Sequence, residues 1–254
     1  MEIQLSEAAI SGYLLALVRA SAWLLIAPPF GGRVIPAQVK LGLAAALALT
    51  VGPGIADQAP PLEVAPLLGA VVMQVLAGVA LGYIGVILFG AVQAAGSLID
   101  AFSGFSMAQM LDPSATGMTS VFGRFYQLLA TTLLFAINGH IIVVRGFLAS
   151  FEAASLTSVD LDRMSELLIG DLGRFFVAAV EIAAPLIAAL LLTDLALGLL
   201  SRAAPSMNVF ILGMPLKMFV TVGLVAVAIP LLPGAVEALL EPVVRQGFQV
   251  VGSG

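Results

Sequence analysis

The chain has 254 residues, of which 61% are hydrophobic and 10% charged, with a formal net charge of −5 and a mean hydropathy of +1.12. A water-soluble domain carries about 25% charged and 45–50% apolar residues, so this is the composition of a polytopic membrane protein. No cysteine and a single histidine exclude disulfides, iron–sulfur clusters and almost every zinc site, and basic residues scattered singly offer no nucleic-acid surface.

Glu2 and Glu7 stand where a signal peptide would carry lysines, so the first apolar run, Ala8 to Pro29, is read as retained and long enough to cross a bilayer. Arg19 lies near its middle, either as a buried cation fixing a helix–helix or subunit contact, or as a side chain snorkelling to an interface. The proline- and glycine-rich stretch 28–43 ends one helix and starts another. Its Arg33 and Lys40 favour the cytoplasmic side. Leu41–Ala56 is a run of 16 residues that barely spans.

Val64–Ile99 holds 36 residues without a charge, about 54 Å as a straight helix against roughly 30 Å of hydrocarbon. It tilts strongly, breaks into a hairpin, or leaves the bilayer under cover of protein. Gly78, Gly82, Gly85, Gly90 and Gly96 leave room for close helix contact. Asp100–Ser120 changes character, mixing Phe102, Phe105, Met107, Met110 and Met118 with Ser, Gly, Asp and Pro113. Such a loop either plugs or lines a pore, methionine being able to close around a changing shape, or is a connector resting on a helix end.

Phe125–Val144 is a further spanning run, interrupted at Asn138-Gly139-His140, where the lone histidine reads best as a hydrogen-bonded interior residue. Arg145–Arg174 is the most water-compatible region, with an amphipathic helix expected from about Asp160 to Leu172. Phe175–Leu200 carries Glu181, Pro185 and Asp194. Pro185 removes a backbone donor and frees the carbonyl of Glu181. Asp194, Gly198 and Arg202 fall on one helical stripe, about 12 Å from first to last, so Asp194 and Arg202 do not pair with each other. A partner subunit is the preferred answer, with a neutral acid bonded inside the chain as the alternative. Polar and helix-breaking residues then crowd the stretch Arg202–Lys217 before the sequence turns apolar again.

No enzymatic constellation emerges. Ser103 lacks the glycine that precedes a rhomboid-type nucleophile, and Glu181 and Asp194 lie about 140° apart around a helix. Broken helices and intramembrane charges also suit a small-solute transporter, but the two halves lack matched breaks.

Three places carry a resemblance. They are Pro29-Phe30-Gly31 with Pro36 and Val39-Lys40-x-Gly42; Asn138-Gly139-His140; and the block Gly198, Arg202, Pro205, Asn208, Phe210, Gly213, Pro215, Lys217. The chain is similar to the FliR family of the bacterial flagellar export apparatus, whose injectisome counterparts are SctT-type proteins. It departs at Ser206, where the family commonly has glutamine. The resemblance implies an all-α membrane protein of five or six long, kinked apolar helices in hairpins, wound into a larger export-gate assembly. Its single export-gate domain would comprise an N-terminal half of about 1–144, an amphipathic linker of about 145–174 and a C-terminal half of about 175–254. It further implies FliP-like, FliQ-like and FlhB-like partner subunits, unfolded flagellar export substrates, a multi-pass place in the bacterial inner membrane, no cofactor, and a pore-plug role for the 101–120 loop. The motif residues, with Arg19, Pro36, Lys40, Glu181 and Asp194, are then the expected subunit contacts. Gly213-Met-Pro-Leu-Lys217 leans to the flagellar version over the injectisome one.

Overall fold

The computed structural model describes residues 7–32, 35–106, 120–153, 156, 161–206 and 209–240. All regular structure among them is helical: α1 Glu7–Ile26, α2 Ala37–Ile55, α3 Val64–Ser103, α4 Val121–Ala136, α5 Gly139–Ala153, α6 Leu161–Ala203 and α7 Val209–Ala228. Short 3-10 turns follow α2 at Ala56–Gln58 and α7 at Ile229–Leu231. Five helices are long and apolar enough to cross a membrane, or six if α4 and α5 form one broken span.

Several boundaries differ from those the sequence suggests. The charge-free run is one unbroken helix of 40 residues, about 60 Å long, so the hairpin alternative falls away. It also takes in Asp100–Ser103, which removes Phe102 from the loop. The amphipathic segment after Asp160 is no separate helix but the start of α6, which runs 43 residues through Pro185. Gly213, Pro215 and Lys217, expected in the break, lie within α7. In the apolar stretches, where water cannot reach the backbone, closing the helical ladder outweighs the local preference of Gly or Pro to open it. The break between α4 and α5 is where the sequence places it. Asn138 adopts φ 56°, a left-handed geometry that asparagine tolerates.

Two compact units divide the described chain. The first is formed by residues up to Leu88, Asn138–Gly173 and the segment from Ala238. Here α1 and α2 form an antiparallel pair, with Gly12 against Ala56 and Gly52 against Tyr13, and the Ser11 hydroxyl donates to the Pro60 carbonyl at 2.9 Å. The first part of α3 lies along α1 in parallel. A Cβ on Gly78 would stand 2.5 Å from the Arg19 carbonyl oxygen, and one on Gly82 3.0 Å from Ile26 Cβ. Glycine is therefore what lets the two backbones touch. Helix α5 packs antiparallel on the same α1, with Trp23 stacked on Phe147 at 4.3 Å between ring centroids.

The second unit is formed by Phe89–Ile137 and Arg174–Glu237. In it Gly96 meets the backbone of Phe122 and Gly90 the ring of Phe175. Helices α6 and α7 form an antiparallel hairpin, since Asp194 bonds Lys217 and Leu197 touches Gly213.

Candidate functional site

Polar groups stand out in so apolar a chain, and they gather in three places. The first is Arg19, fully buried on α1. Its Nε donates to Gln74 Oε1 at 2.5 Å and its Nη1 to the Ser150 carbonyl at 3.0 Å, while the guanidinium lies 4.3 Å from the centroid of the Phe151 ring. Gln74 in turn donates to the Leu156 carbonyl at 2.8 Å. One cation thus ties α1 to α3 and α5 through neutral oxygens and a ring face, which suits a charge removed from water. The Arg19 contacts are helix–helix contacts within the chain.

The second place is where the end of α3 meets the start of α4. Asp100, 2% exposed near the end of α3, accepts from the backbone N–H of Phe122 at 3.1 Å and from the Ser120 hydroxyl. Ser120 caps α4 by accepting from the Gly123 N–H at 2.8 Å. A carboxylate at a helix N-terminus meets unsatisfied donors and the positive end of the dipole. Phe105 packs edge-on against Phe122 at 5.2 Å. Asp100 and Ser120 were not singled out from sequence. A serine opening an apolar helix, with an acid twenty residues earlier, was the available signal. Phe102 and Phe105 are half-buried; Met107, Met110 and Met118 lie outside the described residues.

The third place is the α6–α7 hairpin. Lys217 Nζ lies 2.8 Å from Asp194 Oδ1, with the two side chains 18% and 45% exposed. Within the chain Asp194 pairs with Lys217, one helix away, a contact that the sequence reading did not anticipate. Gly198 and Arg202 follow Asp194 on the exposed side of α6, and nothing lies within 4 Å of where a Gly198 Cβ would be. Pro205 and Pro215 are exposed, Gly213 is buried against Leu197, Phe210 lies within α7, and Asn208 lies outside the described residues. Glu181 lies in the same unit, at a cleft of about 250 Å³.

Near α2, Lys40 is buried and donates to the Gly32 carbonyl at 3.0 Å, and Pro36 sets the extended residue that starts the helix. A Cβ on Gly31 would lie 2.5 Å from the Ile26 carbonyl oxygen, so the Pro-Phe-Gly turn closes only with glycine there.

Seven helices among the described residues, five of them long and apolar enough to span a membrane, with glycine-mediated contacts and one ion pair across a hairpin, define an all-α multi-pass membrane protein. The family model for bacterial export proteins, family 1, matches residues 10–243. Among relatives, the flagellar biosynthetic protein FliR of Bacillus subtilis is 33% identical, over 82% of this chain and 82% of its own. That of Escherichia coli is 32% identical over 91% and 89%. The Yop proteins translocation protein T of Yersinia pestis is 29% identical over 81% and 80%. The chain belongs to the FliR/SctT family of type III export components.

Proposed function

We propose that the protein is a channel-forming subunit of the flagellar type III export gate, passing unfolded flagellar subunits across the inner membrane and helping to seal the pore at rest. The observation that supports this most directly is the α6–α7 hairpin. Its half-exposed ion pair, bare Gly198 and exposed Arg202 lie among Leu191, Leu192, Leu195 and Leu199, all exposed and apolar. Lipid would make that arrangement costly, whereas sister subunits, FliP-like and FliQ-like with an FlhB-like neighbour, would supply polar partners and a surface for the glycine. The sequence Gly213-Met-Pro-Leu-Lys217 favours the flagellum over an injectisome. Deleting the gene should abolish motility and secretion of filament subunits, with solute uptake unchanged. Secretion that persists, or loss of a specific solute uptake, would overturn the reading.

Sealing is assigned to the loop beyond Ser103, on the strength of Phe105, Met107, Met110 and Met118. The Asp100 and Ser120 bonds hold its two ends near each other. Replacing the three methionines by serine should leave assembly intact and make the membrane leaky to small ions. A tight membrane with the replaced loop would remove the plug role.

A further inference from the structure

Glu181 is a second polar singularity, and the ion-paired hairpin does not account for it. It lies near the middle of the apolar span Met164–Ala203, and its side is about 140° around the helix from Asp194. Among the described residues it has no hydrogen bond or ion pair. It lines the cleft of about 250 Å³ with Tyr126, Pro185, Leu186, Leu231 and Leu232. Among the described residues, no cationic one lines that cleft. Pro185 deprives the Glu181 carbonyl of its regular donor four residues on, and the Tyr126 hydroxyl makes no hydrogen bond among the described residues. The exposed Glu181 carboxyl and the free carbonyl are acceptors beside an apolar lining, and the Tyr126 hydroxyl, which can donate as well as accept, is the one neutral donor among the lining residues named.

We propose that this cleft receives a single lysine or arginine carried on an apolar transmembrane helix of a neighbouring gate subunit. The inference rests on the export-gate reading and names the chemistry of one contact in it. Charge complementarity supplies the cation, since an unpaired carboxylate at this depth is costly and a basic side chain satisfies it. A position near the middle of an apolar span favours a basic side chain on a helix over a lipid headgroup amine. The apolar lining, with Val177, Val180 and Val227 exposed on the same two helical segments, fits the flank of a helix better than the shell of a hydrated small cation.

The test uses the gate complex purified from its own membranes. The chain has no cysteine and one tryptophan, so a benzophenone amino acid at Leu231 can be followed with little perturbation elsewhere. The crosslink should land on an apolar segment of another gate subunit beside a lysine or arginine. Glu181→Lys should weaken association about thirtyfold or more, and Glu181→Gln by less, with membrane-inserted chain at its usual level. Changing the partner's basic residue to glutamate should restore the Glu181→Lys complex. The proposal is overturned by an undiminished Glu181→Lys complex, by a crosslink to lipid alone or to a segment without a cation, or by saturable spermidine uptake into vesicles that Glu181→Gln abolishes. If instead the unaltered chain brings down no gate subunit at all, it is the export-gate reading that fails.

Discussion

Arg19 and the Asp194–Lys217 pair are both charges on membrane-spanning helices, and they are handled in opposite ways. Arg19 is closed off completely and bonded to Gln74 and Ser150 on two other helices. Asp194 and Lys217 neutralise each other across one hairpin yet leave nearly half of the acid exposed. The contrast separates two uses of polarity in a chain that lacks a hydrophobic drive for helix association in lipid. A buried polar cluster selects the chain's own fold. A half-buried one is satisfied within the hairpin and, on the proposed reading, open enough to specify a neighbour.

Mutations can break this comparison, and the largest effect belongs to Arg19. Arg19→Ala removes the donor and strands the Gln74 side chain and the Ser150 carbonyl, at about 1–3 kcal/mol for each unsatisfied group. The isolated chain in mild detergent should lose about 3 kcal/mol or more in a denaturant titration. Unchanged stability would mean that Arg19 is not the tie described. Next comes Gly78→Ala. Its methyl would need the Arg19 backbone or Ala22 to move, and overpacking of this kind costs about 1–3 kcal/mol; the same titration reads it. Gly198→Ala, with open space around the site, should leave the isolated chain unaffected and serves as its control.

What the sequence made legible follows the same division. The apolar runs, the break at Asn138 and the close contacts at Gly78, Gly82, Gly85, Gly90 and Gly96 could be read locally, because each depends on composition or on a missing side chain. The partners of Arg19, 55 and 131 residues away, and the pairing of Asp194 with Lys217 depend on which helices meet, and no local pattern encodes that. Helix ends were misplaced where Pro215 and Gly213 counted as breakers, a weight that holds in water and weakens where the backbone has no other partner. The family was legible because motif spacing survives even where the contacts behind it cannot be deduced.

A smaller effect is expected at the neck of the loop. Ser120→Ala deletes the cap on α4 and one bond to Asp100, worth about 1 kcal/mol. A modest loss of stability with an ion leak would tie the neck to the seal. The same loss without a leak would leave it a helix cap.

The smallest effect on the isolated chain should come from the exposed pair. Asp194→Asn or Lys217→Ala removes an ion pair open to its surroundings, and in water such pairs contribute about 0–1 kcal/mol. In detergent the chain should unfold almost as before. In the gate complex the same substitutions should cut co-purification of the other subunits severely, because the remaining charge would then sit unpaired in a subunit contact. Arg202→Ala should behave likewise. The double exchange Asp194→Lys with Lys217→Asp keeps the internal pair but reverses the field presented outward. If the pair serves only the hairpin, the exchange restores the complex; if it specifies a neighbour, the chain folds and the complex stays lost.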